Sequence, residues 1–470
     1  MNPVSGLAIT VISRDINIPY SGSLPGFLSG IYSQEDIHID LRPLAQFAGA
    51  RIIQEEIREI DLENKLVKLS SRPNINFDLI SLNIGSKPNI ASIPGANKFG
   101  ISIKPIDEFI AEWPNILENA IYKIGKDLTF KFVIVGGGPA SVELAFAAQF
   151  RIHQELKQKT SRASKLQIQI ISADNELLSL HNNKVRKFAN HELQTKSIEI
   201  SLNTQVVSIN GKTLVCKNGA TIKADVIIYA TGASIPSWPS ECGLAISEDG
   251  FIEVSTKLQS TSHEYVFAAG DAATIKGEPR PKSGVYAVRQ GIPLAKNLVR
   301  YATGKRLIAY KVQRHALALI SMGNKTAIAS RNNLFFQGRM IWSLKHRIDT
   351  SFIKKYSDFP IMDNTLDITR GLVDQETEKN LRLHAIRCAG CGAKVASNIL
   401  EDVLHELPNT PKEEIISSTP FVEDASMIKL GNGKILLQSV DLIKAFINDP
   451  WVFAKIATNH CLSDIYAMGC

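Results

Sequence analysis

Six cysteines in 470 residues are too few for a disulfide framework, and their scarcity points to a reducing, cytoplasmic compartment. No run of 18 apolar residues occurs, which excludes an ordinary membrane-spanning helix. The first residues, Met1-Asn-Pro-Val-Ser-Gly6, lack the basic stretch and apolar run of a secretory leader. Charge of one sign is scarce too. The formal net charge is +7, and residues 381–470 carry eight basic against ten acidic side chains, so the positive excess lies upstream. It reads as ordinary surface charge. No Lys/Arg cluster is interleaved with aromatic residues, so no nucleic-acid partner is expected. Internal repeats and low-complexity tracts are absent as well. The chain does have 44% hydrophobic residues, enough for large cores, and a length that predicts roughly three domains.

Leu7-Ala-Ile-Thr-Val-Ile12 reads as a buried strand, followed by the turn-rich loop Asn17–Gly26. Further strands are expected at 50–53, 65–68 and 79–83. A fresh strand–helix–strand unit opens at Phe130, with its helix at about 140–157 and its second strand at 166–171. Residues 198–228 are β-rich, with a hairpin signal at Asn210-Gly211. Near Ser283 a helix starts and runs to about Ala302. Residues 311–331 are β-like, and Arg339–Tyr356 reads as a basic helix. In that helix Leu344, Ile348, Phe352 and Tyr356 recur every four residues as an apolar stripe. The stripe packs on its own domain or lies on a membrane surface.

The strongest local signal is Phe130-Lys-Phe-Val-Ile-Val-Gly-Gly-Gly-Pro-Ala-Ser-Val-Glu143. A glycine-rich turn between a strand and an apolar helix is the context a dinucleotide needs. Gly136 permits the tight turn, and Gly138 lets the backbone approach a pyrophosphate with no Cβ in the way. Free N–H groups and the helix dipole then hold the anion. Ser141 stands at the third glycine position, and Glu143 follows on the first turn. The end of the second strand, where an acidic residue would bind the ribose, is Ser172, with Asp174 two residues on. No arginine there would hold a 2′-phosphate, which favours NADH over NADPH. A second signature, Tyr265-Val-Phe-Ala-Ala-Gly-Asp-Ala272, places an acidic residue just after a strand.

With Pro19–Gly26, Asn83-Ile-Gly-Ser86, Ala230-Thr231-Gly232 and Lys282–Gln290, these segments carry a resemblance over residues 1–355. The chain resembles the flavoprotein family of type II NADH dehydrogenases, and more narrowly the flavoprotein module fused in front of selenide, water dikinase. The resemblance implies FAD and NAD(P)H as cofactors, with Gly136, Gly138, Ser141, Glu143, Ser172, Thr231, Gly232, Gly270, Asp271 and Lys282 as cofactor-binding residues. Asp271 would bond the ribityl hydroxyls, Lys282 would sit near the flavin, and the helix starting at Ser283 would aim its dipole at the isoalloxazine. Cys216 and Cys242 form no close-spaced pair, so the dithiol chemistry of disulfide reductases is not expected. The family's first strand, glycine loop and helix should precede Leu7, where six residues stand. The expectation is that the true start lies upstream or that FAD binds poorly.

Residues 383–470 resemble the first half of selenide, water dikinase, in the aminoimidazole ribonucleotide synthetase-like family. The matching segments are Arg387-Cys-Ala-Gly-Cys-Gly-Ala-Lys394, Val422–Ala425, Ser439–Asp441, Asn448–Pro450 and Asn459–Gly469. This implies Cys391 and Lys394 as catalytic residues, Asp424, Asp441 and Asp464 as Mg²⁺ ligands, and ATP with selenide as reactants. Cys388 and Cys391 otherwise read as half of a zinc site, lacking a second pair, or as a redox disulfide. Asp449, before Pro450, reads as a turn residue. The family's second domain is not in the sequence, so no dikinase activity is expected from this polypeptide alone. A gene fragment, or a partial reading of a longer fusion, is the third reading.

The fold class expected is α/β, a two-dinucleotide-binding-domain (FAD/NAD(P)) flavoprotein fold followed by an α+β N-terminal half of an aminoimidazole ribonucleotide synthetase-like domain. The boundaries are 1–125 (the first FAD-binding segment, its opening βαβ missing), 126–240 (NAD(P)-binding) and 241–310 (the second FAD-binding segment). After them come 311–357 (a closing segment with the basic helix), 358–382 (linker) and 383–470 (truncated dikinase domain). The expected partners are a small-molecule redox acceptor, selenide, a peripheral membrane contact and a second copy in a homodimer.

Overall fold

A computed structural model describes residues 6–90, 93–159, 165–313, 315–359, 406, 415–416, 425–441, 443, 445–447 and 449–469. The chain divides into two compact units. One holds Met1–Leu7, Ile12–Leu44 and Gln54–Phe359, and the other holds Ala8–Val11, Ala45–Ile53 and Pro360–Cys470.

The larger unit is organised by a five-stranded parallel sheet. In chain order its elements are β1 (Ile101–Ser102), α1 (Ile106–Gly125), β2 (Phe130–Val135), α2 (Pro139–Lys159), β3 (Leu166–Ile171), β4 (Glu199–Ser201) and β5 (Val226–Tyr229). The strands lie in the order β1-β5-β2-β3-β4. β2 is central because its sequence is apolar on both faces. Phe130, Phe132 and Ile134 point into the core made with α1 and α2, and Val133 and Val135 point the other way. That second face is covered by a three-stranded antiparallel sheet, Val206–Asn210, Thr213–Cys216 and Thr221–Lys223. The expected hairpin is there, with Gly211 at φ +58°.

A second core gathers around the parallel pair Ile80–Leu82 and Val266–Ala268, which puts the Asp271 segment at a strand end. Helix α3 (Gly284–Ala302) starts where Ser283 predicts it. Strand β6 (Ala318–Ser321) opens an antiparallel sheet with Ala327–Arg331 and Leu334–Gly338, and α4 (Arg339–Ser357) follows. A helix at Asn183–Thr195 is tied to this sheet by Asn182. Its Oδ1 accepts from Val185 N at 3.1 Å, and its Nδ2 donates to Asn332 O at 2.7 Å and Leu334 O at 3.2 Å. Asn182→Ala removes the cap and both bridges, and a loss of about 1–2 kcal/mol in urea unfolding is expected.

Two expectations are corrected. The strand read at 7–12 is Thr10–Ser13 and is not buried. Ile9 and Val11 are exposed, because the strand pairs with Arg51–Gln54 alone among the described residues. The apolar stripe of α4 is turned outward at Leu344 (42% exposed) and Ile348 (43%), in line with Met340 (86%). Its buried face carries Lys345, Asp349 and Ile353 instead. Phe352 alone of the stripe finds an aromatic partner outside α4, stacking on Tyr20 at 4.4 Å.

Of the second unit, the described portion contains an antiparallel sheet of Ile415–Ile416, Ser426–Lys429 and Ile435–Gln438, and a helix at Pro450–Ala467. Asp449 caps that helix, its Oδ1 accepting from Trp451 N and Val452 N at 3.2 Å. Among the described residues no helix is long and apolar enough to cross a membrane.

Candidate functional site

Two adjacent parallel strands, β2 and β5, end side by side, and the loops that follow them meet at their carboxyl ends. After β2 comes Gly136, at φ +137°, where a Cβ would lie 2.3 Å from Ala230 O. The loop is pinned on both sides, by Gly136 N to Ile171 O (2.8 Å) and Ala230 N to Val135 O (2.9 Å). At Gly138 and at Gly232, by contrast, a Cβ would meet nothing within 4 Å. Thr231 Oγ1 and Ser141 Oγ are buried without a hydrogen-bond partner. An α2 N-terminus beside open space and an unpaired hydroxyl fit the diphosphate of a dinucleotide. Ser141 is fully buried, as a small residue between helix and strand should be.

Ser172 is buried at the end of β3 with its hydroxyl against Gly137, where a Cβ would come within 2.5 Å of it. Its Oγ accepts from Asp174 N at 3.2 Å, and Asp174 itself is exposed. Ser172 therefore shapes the loop, and the Asp174 carboxylate two residues on stays exposed.

The second group centres on Asp271. Gly270 takes φ +69°, and its N–H donates to Gln290 Oε1 at 2.6 Å, which fixes the turn against α3. Asp271 Oδ2 accepts from Lys104 Nζ at 2.8 Å and from Ser86 Oγ at 3.1 Å, leaving Oδ1 to accept a hydroxyl. Lys282 is spent elsewhere. Its ammonium donates to Ala273 O and Thr274 Oγ1, both at 2.7 Å, and lies 3.7 Å from the centre of the Phe251 ring. Burial pulls it down to about 8 against the pull of Asp249 and Asp271. It braces the strand behind Asp271 and is not among the cavity-lining residues.

Lys104 joins the two groups. It lines a small cavity of about 90 Å³, partly open to solvent, whose other walls include Ser21, Leu24, Pro25, Leu28, Ile103, Leu144 and Glu143. Gly284, the first residue of α3, lies against Ser21, so that helix N-terminus faces this region. Glu143 reaches the cavity from the second turn of α2, one turn later than its sequence position suggests, and its Oε1 accepts from Ser321 N at 2.8 Å. Burial pushes its carboxyl up from 4.5 to about 7, the Lys345 ammonium and the Ser321 N–H opposing the rise and Asp349 adding to it. The sequence marks Glu143 and Asp271. Ser86 lies in the Asn83–Ser86 segment that the sequence singles out, without a role assigned, whereas Lys104 and the Lys345–Asp349 pair carry no local motif, and sequence reasoning misses them.

The cavity is a small, largely apolar one with a cation and an acid among its lining residues, and Asp271, with Oδ1 left over, fits a polyhydroxyl chain. Among the described residues, the turn at Gly136 is the single glycine-rich strand-to-helix turn of dinucleotide type. The fit to a flavin is therefore to its ribityl portion.

In the second unit, Asp441 Oδ2 lies 3.4 Å from His460 Nε2, and Asp464 Oδ2 accepts from Ser439 Oγ at 2.7 Å. Among the described residues no group of three or more His, Cys, Asp or Glu side chains is placed to hold a metal. Cys391, Lys394 and Asp424 lie outside the described residues.

Residues 4–291 match the model of a family described as pyridine nucleotide-disulphide oxidoreductase. The type II NADH:quinone oxidoreductase of Haemophilus influenzae is 27% identical over 286 residues, covering 56% of this chain and 64% of that protein. A selenide, water dikinase of Nitratidesulfovibrio vulgaris is 40% identical over 87 residues, covering 18% of this chain and 25% of that protein. The chain thus spans less than two thirds of either relative. Among solved structures, the sulfide:quinone oxidoreductase of Aquifex aeolicus superposes with a TM-score of 0.63 at 17% identity, over 76% of this chain and 87% of that one. At that identity the likeness is one of fold: a mixed α/β dinucleotide-binding architecture.

Proposed function

This chain belongs to the pyridine nucleotide-disulphide oxidoreductase family, and from that premise we propose that it is an FAD-dependent NAD(P)H oxidoreductase serving a small-molecule acceptor. The observation that carries the reading is the shared cavity. Glu143, seven residues past the Gly136 turn, and Lys104, bonded to Asp271, line one space. A nicotinamide anchored at Gly136 and Gly138 and a flavin anchored at Asp271 would meet there.

A flavin held there would supply the capacity to accept a hydride from a nicotinamide and pass the electron pair on. The protein's role is positioning and charge. The N–H groups at the start of α2 bind the dinucleotide phosphates, and Asp174 meets the ribose, which favours NADH. Asp271 orients the ribityl chain, and Lys104 holds Asp271 in place. The apolar walls, Leu24, Leu28, Ile103 and Leu144, exclude water from the ring. Glu143 holds or releases a proton at the cavity wall near neutral pH. A quinone acceptor is supported by the name of the Haemophilus relative and by the apolar cavity. A peripheral membrane contact is supported by the outward Met340, Leu344 and Ile348.

The test is the visible spectrum of the purified chain with FAD, before and after NADH. A bound yellow chromophore that bleaches on NADH is the expected result, and a protein that stays colourless overturns the reading. Asp271→Ala should weaken flavin retention about tenfold, the worth of one charge-assisted hydrogen bond. Equal retention in the variant would remove Asp271 from the site.

For the second unit, the 87-residue similarity supports a dikinase-like segment, with Cys391 and Lys394 as its catalytic residues and Asp424, Asp441 and Asp464 as Mg²⁺ ligands for ATP. Mg²⁺-dependent ATP binding, lost in Asp441→Asn, is the measurement that checks it.

A further inference from the structure

The ion pair buried in the larger unit is on the wrong side of its helix for a surface bridge. Lys345 and Asp349 are one turn apart on α4, with side chains 10% and 7% exposed and Nζ to Oδ2 at 2.7 Å. The ammonium also donates to Gly22 O at 2.6 Å, and Gly22 adjoins Ser21 in the cavity wall. On the other side, α4 packs on β6, whose Ser321 N–H holds the Glu143 carboxylate. The pair therefore bonds the segment that forms one wall, and its helix packs on the strand that holds the acid of the other.

We propose that Lys345 and Asp349 are a positioning pair for Glu143, setting the charge that the cavity presents to the ring system bound there. This makes the last helix of the oxidoreductase unit a regulator of the site, and it rests on the reading of that cavity as the redox centre. Lys345 draws Glu143 towards its anionic form, and Asp349 both screens Lys345 and repels that anion. Burial pushes Asp349 itself up against the pull of Lys345. The other groups nearby are accounted for. His346 turns to the Tyr32 hydroxyl at 2.8 Å, the Tyr20 ring stacks on Phe352, and Lys104 is committed to Asp271. The desolvation of a buried pair can exceed its Coulombic gain, so stability alone does not account for this one.

The test is a pH titration of the Glu143 carboxyl by carbon-13 NMR in the full chain with no cofactor added, the signal being assigned by its loss in Glu143→Gln. Lys345→Met should raise the proton affinity of Glu143 about tenfold, as loss of one nearby opposite charge does. Asp349→Asn should lower it, and Lys345→Arg should leave it near the native value. Opposite signs are the signature, since a loosened structure that admitted water would lower both. If Lys345→Met does not fold, the neutral double variant Lys345→Met/Asp349→Leu replaces it, with a smaller rise expected. Unchanged midpoints, or a fall in both variants, would overturn the pairing. Because flavin is absent throughout, failure of the redox reading shows in the spectrum and failure of this inference in the titration.

Discussion

Gly136→Ala is expected to cost both folding stability and nicotinamide binding, whereas Gly138→Ala should cost binding alone. At Gly136 the backbone is in the left-handed half of conformational space at φ +137°, and the new Cβ would lie 2.3 Å from Ala230 O. Neither loop can retreat, because the bonds from Gly136 N to Ile171 O and from Ala230 N to Val135 O continue the ladders on both sides of β2. Strain and overlap together predict a loss of roughly 3 kcal/mol in urea unfolding. Displacement of the turn predicts a fall in NADH affinity of about a hundredfold or more, since oriented phosphate contacts fail together. At Gly138 a Cβ meets no protein atom within 4 Å. That variant should unfold with the native protein, while its methyl occupies the space a diphosphate needs. Calorimetric titration with NADH beside urea unfolding of both variants checks the contrast. Equal stability of Gly136→Ala and the native chain would mean the turn is looser than its geometry.

Glu143→Gln should stabilise the protein in alkali and leave it unchanged in acid. The carboxyl titrates near 7 in the folded chain, against 4.5 in the ordinary state. A folded value raised above the unfolded one means that stability from the bound proton is fully present below about 4.5 and is lost as pH rises through 7. Above that, the native chain carries a buried charge at a cost of roughly 3 kcal/mol. Glutamine keeps an oxygen for the Ser321 N–H and carries no charge. The variant's advantage in urea unfolding should therefore be near zero at pH 4, grow between pH 5 and 7, and level at about 3 kcal/mol by pH 8. An advantage that did not vary with pH would place the carboxyl in water.

The features of the site legible in the sequence are those whose chemistry is local. A glycine turn between an apolar strand and helix declares itself within a dozen residues, and so does the strand-end Ala-Gly-Asp of 269–271. Residues that converge from distant segments do not. Lys104 meets Asp271 from 167 residues away, and Ser86, whose segment the sequence marks without its partner, from 185. The 20-residue helix α1 escapes a reading by pattern, which Pro114 interrupts. Periodicity misleads most in α4. A stripe every four residues normally marks the buried face, but here two members of the neighbouring stripe, Lys345 and Asp349, are turned inward by Gly22 O and by each other. Hydropathy carries no term for a buried pair that satisfies itself.

The bond between Lys345 and Gly22 joins residues 323 apart in sequence. On a ribosome adding about 5–20 residues per second, roughly 20–60 s separate the emergence of the two partners. Throughout that interval the wall segment has no ammonium to fasten it. The cavity is thus a late product of synthesis, its wall fastened only after the chain has been made past α4.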